Sequence, residues 1–238
     1  MLQSIFRRED DGLQVAAEIL DTIRSLRVEH ASFRIVFTGS IGLHHVLGKL
    51  TSSGIPTSPT NDMYNVTVTP LDPEPAQTLA ADLLVGEDIE CDDIPTAAAM
   101  IAEEVGYVPF YIHHVVAGLR VEELSATDAN IKDFVARQLA AASDHWELAH
   151  FRDRIDPYYP DNNDADVARS ILDTLACDEP LAVNDILDTV GDIANRDSLL
   201  RLLRLMDADH YLSRDTDGKC RFRFNLIRRW WRLDRGLA

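Results

Sequence analysis

The residues with the clearest chemical potential are Thr38, Gly39 and Ser40, which directly follow an apolar run at 34–37. A β-branched and aromatic run that ends in small, turn-forming residues is typical of a buried strand leading into a loop. In open α/β folds, ligand sites lie at the carboxyl ends of such strands. The pattern therefore predicts a ligand-contacting loop at the edge of a sheet.

A phosphate-binding loop would have to come from the sequence G-x-x-x-x-G-K-[ST] between a strand and a helix. The nearest approach runs from Gly42 to Thr51, but it has five residues between its glycines and Leu50 where a hydroxyl must reach magnesium. No apolar strand ending in Asp-Glu precedes the opening helix. Since phosphoryl transfer depends on these groups, the chain alone is predicted not to hydrolyse ATP, and no catalytic residue is assigned.

Histidine and cysteine give no metal site by their spacing. The histidines that invite such a reading occur as adjacent pairs, at 44–45 and 113–114. Adjacent side chains on a helix point about 100° apart, whereas a chelating pair needs i, i+4 spacing. The cysteines are scattered without C-x-x-C spacing, so neither a disulfide framework nor a zinc site is predicted (Cys91, Cys177 and Cys220).

Composition places the chain among ordinary globular proteins and bears on its partners. Of its 238 residues, 46% are hydrophobic and 26% charged, and the formal net charge is −17. Such a charge repels nucleic acid on average, although residues 214–235 are locally basic. No apolar run approaches the roughly 18 residues that span a bilayer, and no signal peptide is recognisable. We expect a cytoplasmic protein without membrane contact that binds a protein partner or itself.

The first 70 residues predict part of an α/β core. An amphipathic helix at 12–28 precedes the strand at 34–37, and a short helix at 43–50 follows it. Alternating apolar residues then predict a second strand at 64–68. Because two strands alone are marginal, this part is expected to lack neighbouring strands.

Residues 71–155 predict a bundle of helices. The first starts after Asp72, and the second spans 95–105 and stops at Gly106. The third starts at Pro109, and the fourth spans 125–148 with Ser125 as its predicted N-cap. A polar, proline-bracketed linker at 156–163 ends the bundle.

Residues 164–238 predict a winged helix. Three helical patterns at 167–176, 182–190 and 196–206 precede a hairpin at 211–224 with Asp217-Gly218 at its turn, and a helix at 225–233 follows. The fold class is therefore mainly α with small β content: a partial α/β core, a helical bundle and a carboxyl-terminal winged helix.

Four short motifs carry a family resemblance through their order. They are an L-x-x-L-R-like helix end at 20–24, the T-G-S tip at 38–40, a P-L-x-x-E-A-like helix start at 70–76 and a G-x-x-P-x-Y-[IL] joint at 106–112. With the winged helix after them, they resemble the back half of a P-loop ATPase of the STAND or archaeal AAA+ type. The chain departs from that family in lacking the phosphate loop and the acidic strand.

The resemblance implies a nucleotide site. In an intact relative, ATP with magnesium would sit between core and lid, with Thr38, Gly39 and Ser40 at the γ-phosphate and the joint at the base (Gly106, Tyr107 and Pro109). Either Arg152 or Arg154 would add a cation that faces the phosphates. The bundle would be the lid, and the whole chain the carboxyl-terminal part of a nucleotide-dependent switch. A fragment, a mis-assigned start and a degenerate paralogue each explain the missing half, and tight nucleotide binding by this chain alone is not expected.

The competing hypothesis is an adaptor without ATPase activity that uses the winged helix alone. Its third helix and hairpin carry cations that could meet DNA phosphates (Arg201, Arg204, Arg221 and Arg223). Neighbouring aspartates and the net charge disfavour nucleic acid as the partner. In the resembled family the corresponding domain mostly serves autoinhibition and protein contacts.

Overall fold

The structure, a computed structural model, describes residues 12–38, 42–55, 59–159, 163–191 and 194–237. The chain divides into two compact units, Met1–Thr67 and Val68–Ala238. The described residues are mainly helical, and their one sheet has two strands. The prediction of a mainly α protein with small β content is therefore confirmed. Within the described parts, no helix combines the length and apolarity needed to cross a membrane.

The first unit is built on two helices, α1 (Gly12–Glu29) and α2 (Leu43–Ser52). Both agree with the helical spacing of the sequence. Their buried side chains form a small core in which partly buried residues complete the packing (Ala17, Leu20, Val46 and Leu50, with Leu13, Phe37, Leu43, Leu47 and Ile55 around them). Arg27 of α1 fastens the later loop by donating to Asp62 Oδ1 at 2.6 Å and to the Pro59 carbonyl at 2.7 Å.

The strands predicted at 34–37 and 64–68 are not formed among the described residues. Phe37 packs on the small core, but Val36 is 82% exposed, and Tyr64, Val66 and Val68 are 96%, 84% and 88% exposed. A strand exists only where a neighbour accepts and donates its backbone hydrogen bonds. Without such a neighbour these β-prone residues form no sheet, and the predicted buried strand is wrong for the structure described here.

The second unit opens with four helices: α3 (Pro73–Gly86), α4 (Ile94–Glu104), α5 (Pro109–Val121) and α6 (Asp128–Ala140). α3 packs against α4 and α5, and α6 packs against both α4 and α5. The Asp93 carboxylate caps α4 by accepting from Thr96 N at 2.9 Å. Their shared faces bury small and branched residues (Ala76, Ala80, Leu84, Ala98, Ile101, Ile112, Val115, Leu119, Ile131 and Val135).

The fourth helix of this bundle differs from its prediction at both ends. Thr127 rather than Ser125 is its N-cap, accepting from Asn130 N at 3.3 Å. It ends at Ala140, not at 148, and a separate short helix α7 (Ala149–Asp153) follows. Asp144 explains the break, because its two carboxylate oxygens accept from Leu148 N at 2.8 Å and Ala149 N at 2.7 Å. A side chain that satisfies backbone donors in this way starts a new helix.

After α8 (Ile155–Tyr158), the carboxyl-terminal part contains α9 (Asp164–Cys177), α10 (Val183–Val190), α11 (Arg196–Ala208), β1 (Leu212–Arg214), β2 (Cys220–Phe222) and α12 (Asn225–Asp234). The strands are antiparallel, with Ser213 opposite Arg221. The predicted hairpin is confirmed. Gly218 takes a φ of +79° at its turn, which a side chain would strain, and Asp215 Oδ1 accepts from Lys219 N at 2.8 Å.

A third stretch of backbone joins this hairpin. Leu181, which lies between α9 and α10, exchanges hydrogen bonds with Cys220 of β2, at 3.0 Å from its N–H and 2.8 Å to its carbonyl. This pairing has no signal in the sequence, because a one-residue bridge has no periodicity. The pairing joins the connection between α9 and α10 to the hairpin.

Candidate functional site

The predicted nucleotide-contacting residues fall in different parts of the chain. Thr38 belongs to the first unit and is exposed, whereas Gly39 and Ser40 lie outside the described residues. Gly106, Tyr107 and Pro109 belong to the second unit and form the joint between α4 and α5. The joint is therefore the predicted site whose geometry can be described.

The joint is a tight reversal with two successive residues in the left-handed region. Gly106 has a φ of +65° and Tyr107 a φ of +62°. Gly106 N donates to the Glu103 carbonyl at 3.0 Å, and Tyr107 N donates to the Ala102 carbonyl at 2.8 Å. These bonds satisfy the last carbonyls of α4. A tyrosine at positive φ costs free energy, on the order of 1 kcal/mol. Other non-glycine residues after helices take the same conformation, among them Asp88 and Glu123.

The beginning of the second unit is bound to the same joint. Leu71 N, two residues before α3, donates to the Tyr107 carbonyl at 3.1 Å. Pro109 occupies the first turn of α5, where its missing N–H costs no helical hydrogen bond. The side chains of Tyr107, Val108 and Pro109 are all partly accessible. Three segments thus meet at one half-buried corner with an aromatic ring on it.

The joint at 105–109 offers an aromatic ring and backbone groups for recognition. These five residues contain no lysine, arginine or side-chain carboxylate. An aromatic ring and backbone carbonyls can stack on and hydrogen-bond a planar ring system, but they cannot neutralise phosphates. A phosphate group bound here would need cations from other residues.

The two arginines expected to face phosphates are bound to other groups. Arg152 pairs with Asp153 at 3.0 Å and with Asp234 of α12 at 2.6 Å. The Arg154 guanidinium lies 4.3 Å from the ring centroid of Phe151 and 4.6 Å from that of Tyr211. It also donates to the Tyr211 hydroxyl at 3.1 Å. Both guanidinium groups therefore have partners in this arrangement, although the Arg152 side chain is 41% exposed.

Arg154 belongs to an aromatic cluster that sequence reasoning missed. The Tyr211 hydroxyl donates to the Phe151 carbonyl at 2.8 Å, and the Tyr159 hydroxyl donates to Asp209 Oδ2 at 2.6 Å. Burial raises the pKa of the Tyr159 and Tyr211 phenols well above the usual value of a tyrosine. The cluster connects α7 and α8 to the start of the hairpin. Its only sequence signal is the accumulation of tyrosines, because the partners lie 50 and 60 residues apart.

The predicted nucleic-acid contacts lie along α11 and the hairpin, mixed with carboxylates. Arg201 pairs with the buried Asp164 at 2.5 Å, and Arg221 lies 3.6 Å from Asp215. Arg223 is partly buried, 3.9 Å from Asp207, whereas Arg204 is exposed. Nearby carboxylates reduce the attraction of these cations for phosphate. The face therefore carries both signs of charge, as the aspartates in its sequence suggested.

No protein-family profile and no curated protein matches this chain. The residues and contacts described above are therefore the functional evidence. Among them, the α4–α5 joint and the carboxyl-terminal helix–hairpin arrangement carry the most information.

Proposed function

We propose that this chain is the lid and winged-helix portion of a nucleotide-dependent switch of the STAND or AAA+ kind. ATP with magnesium would be held by a phosphate-binding half that these residues do not supply. The lid is α3 to α6, and the winged helix runs from α9 to α12. The chain by itself would be a responding element rather than an ATPase. The cytoplasmic location is part of this proposal.

The α4–α5 joint is the observation that carries the proposal. Gly106 and Tyr107 take the left-handed conformation in succession, and the Leu71 N–H binds the same turn at 3.1 Å. Strained backbone and a partly exposed ring are typical of ligand-contacting corners. The joint also holds its place in the order of motifs on which the resemblance depends. We assign contact with the nucleotide base to Tyr107 and its neighbours, Gly106 and Pro109.

The winged-helix assignment is supported by the pairing of Leu181 with Cys220. A winged helix orders its elements as helix, short strand, two helices and a two-stranded wing. Here α9, the Leu181 bridge, α10, α11 and the hairpin follow one another in that order. The proposal therefore takes α11 as the helix in the position of a recognition helix.

A test of the nucleotide switch compares this chain with a form extended through its upstream reading frame. A fluorescent ATP analogue is expected to bind the extended form tightly and this chain weakly. In the extended form, Tyr107→Leu should weaken binding, because the ring would no longer stack on the base. Phe110→Leu is the matched control, since Phe110 lies on the neighbouring turn and is 43% exposed.

Two outcomes would contradict the proposal. The first is an extended form that binds no nucleotide. The second is equal affinity for Tyr107→Leu and for the parent form.

The second candidate is the adaptor, in which the winged helix alone binds DNA or a protein. The Leu181–Cys220 bridge favours it as much as it favours the switch, because the same fold serves both. The ion pairs of Arg201 with Asp164 and of Arg221 with Asp215 favour a protein surface over DNA. Salt-dependent DNA binding that is lost in Arg221→Ala and Arg223→Ala variants would identify the DNA-binding form instead.

A further inference from the structure

Helix α12 contacts both halves of the second unit through polar groups. Towards the carboxyl-terminal part, Arg235 makes two hydrogen bonds to Asp173 of α9, at 3.0 and 2.8 Å. The Trp231 indole donates to the same carboxylate at 2.8 Å. Towards the bundle, Arg229 pairs with Glu104 of α4 at 2.5 Å. α12 therefore bonds to α9 through Trp231 and to the bundle through Arg229, and Arg235 directly after it adds a second link to α9.

The bundle and the carboxyl-terminal part both bury apolar side chains within one compact unit. In the carboxyl-terminal part these side chains come from α9, α10, α11 and the hairpin (Ile171, Leu172, Leu175, Ile186, Leu199, Leu203, Met206, Leu212 and Phe222). The two parts meet where α12 packs against α6. They are also joined by the segment of α7 and α8, because the Trp146 ring lies 5.5 Å from that of Tyr111 and Arg154 donates to the Tyr211 hydroxyl.

Glu104 places this contact beside the candidate site. It is the last residue of α4, and Gly106 begins the joint two positions later. The Arg229 and Glu104 side chains are 32% and 20% exposed. In such a partly buried pair, loss of one partner leaves a charge that is costly to keep in the contact. A shift of the end of α4 would change this pair directly.

We propose that α12 is a latch that holds the winged helix against the bundle, with Glu104–Arg229 as its fastener. Opening of the latch would release the carboxyl-terminal part as a folded body, because Asp173, Trp231 and Arg235 keep α12 on α9. What opens the latch rests on the proposed function: a nucleotide base at the joint would reposition the end of α4. The latch itself is a property of these residues and requires no nucleotide.

The experiment is amide hydrogen exchange on the whole chain without nucleotide. Arg229→Gln and Glu104→Gln should each speed exchange in α6 by about tenfold, because local opening exposes its contact with α12. Protection in α9 and α11 should stay unchanged. The double reversal Glu104→Arg with Arg229→Glu should restore the parent rates.

Arg137→Gln is the matched control. Arg137 pairs with Glu122 at 2.6 Å and with Asp133 at 2.9 Å, both within the bundle. Its loss should leave exchange in α6 near that of the parent chain. Equal effects of Arg137→Gln and Arg229→Gln would overturn the latch.

The remaining outcomes are equally decisive. Loss of protection throughout α9 and α11 in Arg229→Gln would overturn release as a folded body, and so would a double reversal that restores nothing. The same measurement on the upstream-extended form with ATP separates the two proposals. If the variants exchange faster but ATP changes no exchange rate in the extended form, the latch is supported and only the nucleotide switch is contradicted.

Discussion

At the residue scale, Gly118 shows how one missing side chain positions a helix pair. It lies in α5, where the ring of Phe134 from α6 crosses the backbone. A Cβ added to Gly118 would lie 1.9 Å from Phe134 Cζ. Glycine within a helix is intrinsically unfavourable, so its presence here is explained by this close approach. The resulting contact holds α6 against α5.

Gly118→Ala is therefore expected to destabilise the second unit by about 2 kcal/mol, since the ring or the helix must move. Urea unfolding followed by circular dichroism measures the change. Gly86→Ala is the control, because nothing lies within 4 Å of a Cβ built on Gly86. A Gly118→Ala protein as stable as the parent would show that α5 and α6 tolerate separation.

Tyr111 gives the protein a predictable response to alkaline pH. Burial, together with the charges of Asp144 and Glu147, raises the pKa of its phenol to about 12. A phenol with a raised folded-state pKa contributes fully below its unfolded pKa of about 10, and that contribution is lost as pH rises towards 12. Between these values we expect Tyr111 to account for a loss on the order of 2 kcal/mol of unfolding free energy.

The measurement is urea unfolding at several pH values from 9 to 12 for the parent and Tyr111→Phe. The variant should lose less stability over this range, although Tyr159 and Tyr211, whose pKa values are also raised by burial, keep part of the dependence. Tyr64→Phe should behave like the parent, because Tyr64 is 96% exposed. A parent-like slope for Tyr111→Phe would contradict the assignment.

Sequence reasoning located single residues better than it assigned their roles. Gly106 and Pro109 were recognisable from local helix-stop and helix-start chemistry, and the structure places both at the joint. The aromatic contact of Arg154 was not, because Tyr211, whose ring and hydroxyl meet its guanidinium, lies 57 residues away in the chain. Caps and turns depend on residues that are neighbours in the sequence, whereas pairing between distant residues leaves no local signal.

At the element scale, helices were predictable where caps and periodicity agreed. α1, α2 and α4 closely match their sequence patterns, and the hairpin follows from its Asp-Gly turn. α6 was predicted too long because the apolar pattern continues through Trp146 and Leu148. The Asp144 carboxylate overrides that pattern by capping α7.

The two unformed strands give an element-scale prediction. Val66→Pro should change the free energy of unfolding by less than about 0.5 kcal/mol, because residues 64–68 make no ladder hydrogen bonds for proline to remove. Cys220→Pro should cost about 3 kcal/mol, since Cys220 N donates to the Leu181 carbonyl at 2.8 Å. Thermal unfolding of both variants provides the comparison. A comparable loss in Val66→Pro would mean that residues 64–68 are paired in solution.

At the scale of the whole molecule, charge is the dominant feature. Forty acidic residues face 23 basic ones, and the net charge of −17 makes compact states repel themselves. Most ion pairs among the described residues are exposed or partly exposed, so screening them costs little. Self-repulsion should therefore outweigh the attraction within these pairs.

We expect sodium chloride, raised from about 0.05 to 1 M at pH 7, to increase stability as the Debye length falls from over 10 Å to about 3 Å. Thermal unfolding at each concentration checks this. Near pH 4.7, the isoelectric point given by the sequence, the same salt series should have little effect. A falling midpoint at pH 7 would show that ion pairs outweigh repulsion.

One of the two domain boundaries predicted from the sequence lies near the division into compact units, and the other does not. The boundary predicted after residue 70 lies close to the division after Thr67. The predicted linker at 156–163 does not separate compact units, because α12 packs on α6 and Arg229 reaches Glu104. Polar, proline-bracketed composition identifies a linker, but contacts across it depend on side chains far away in sequence.

The sequence by itself determined the helical character, the helix caps, the hairpin turn and the acidic charge, because these depend on residues close together in the chain. Tertiary structure decided whether β-prone runs became strands, since a strand exists only beside a partner. It also decided that Arg154 meets Tyr211 and that Leu181 joins the hairpin. These contacts connect residues tens of positions apart, and only the folded chain brings them within bonding distance.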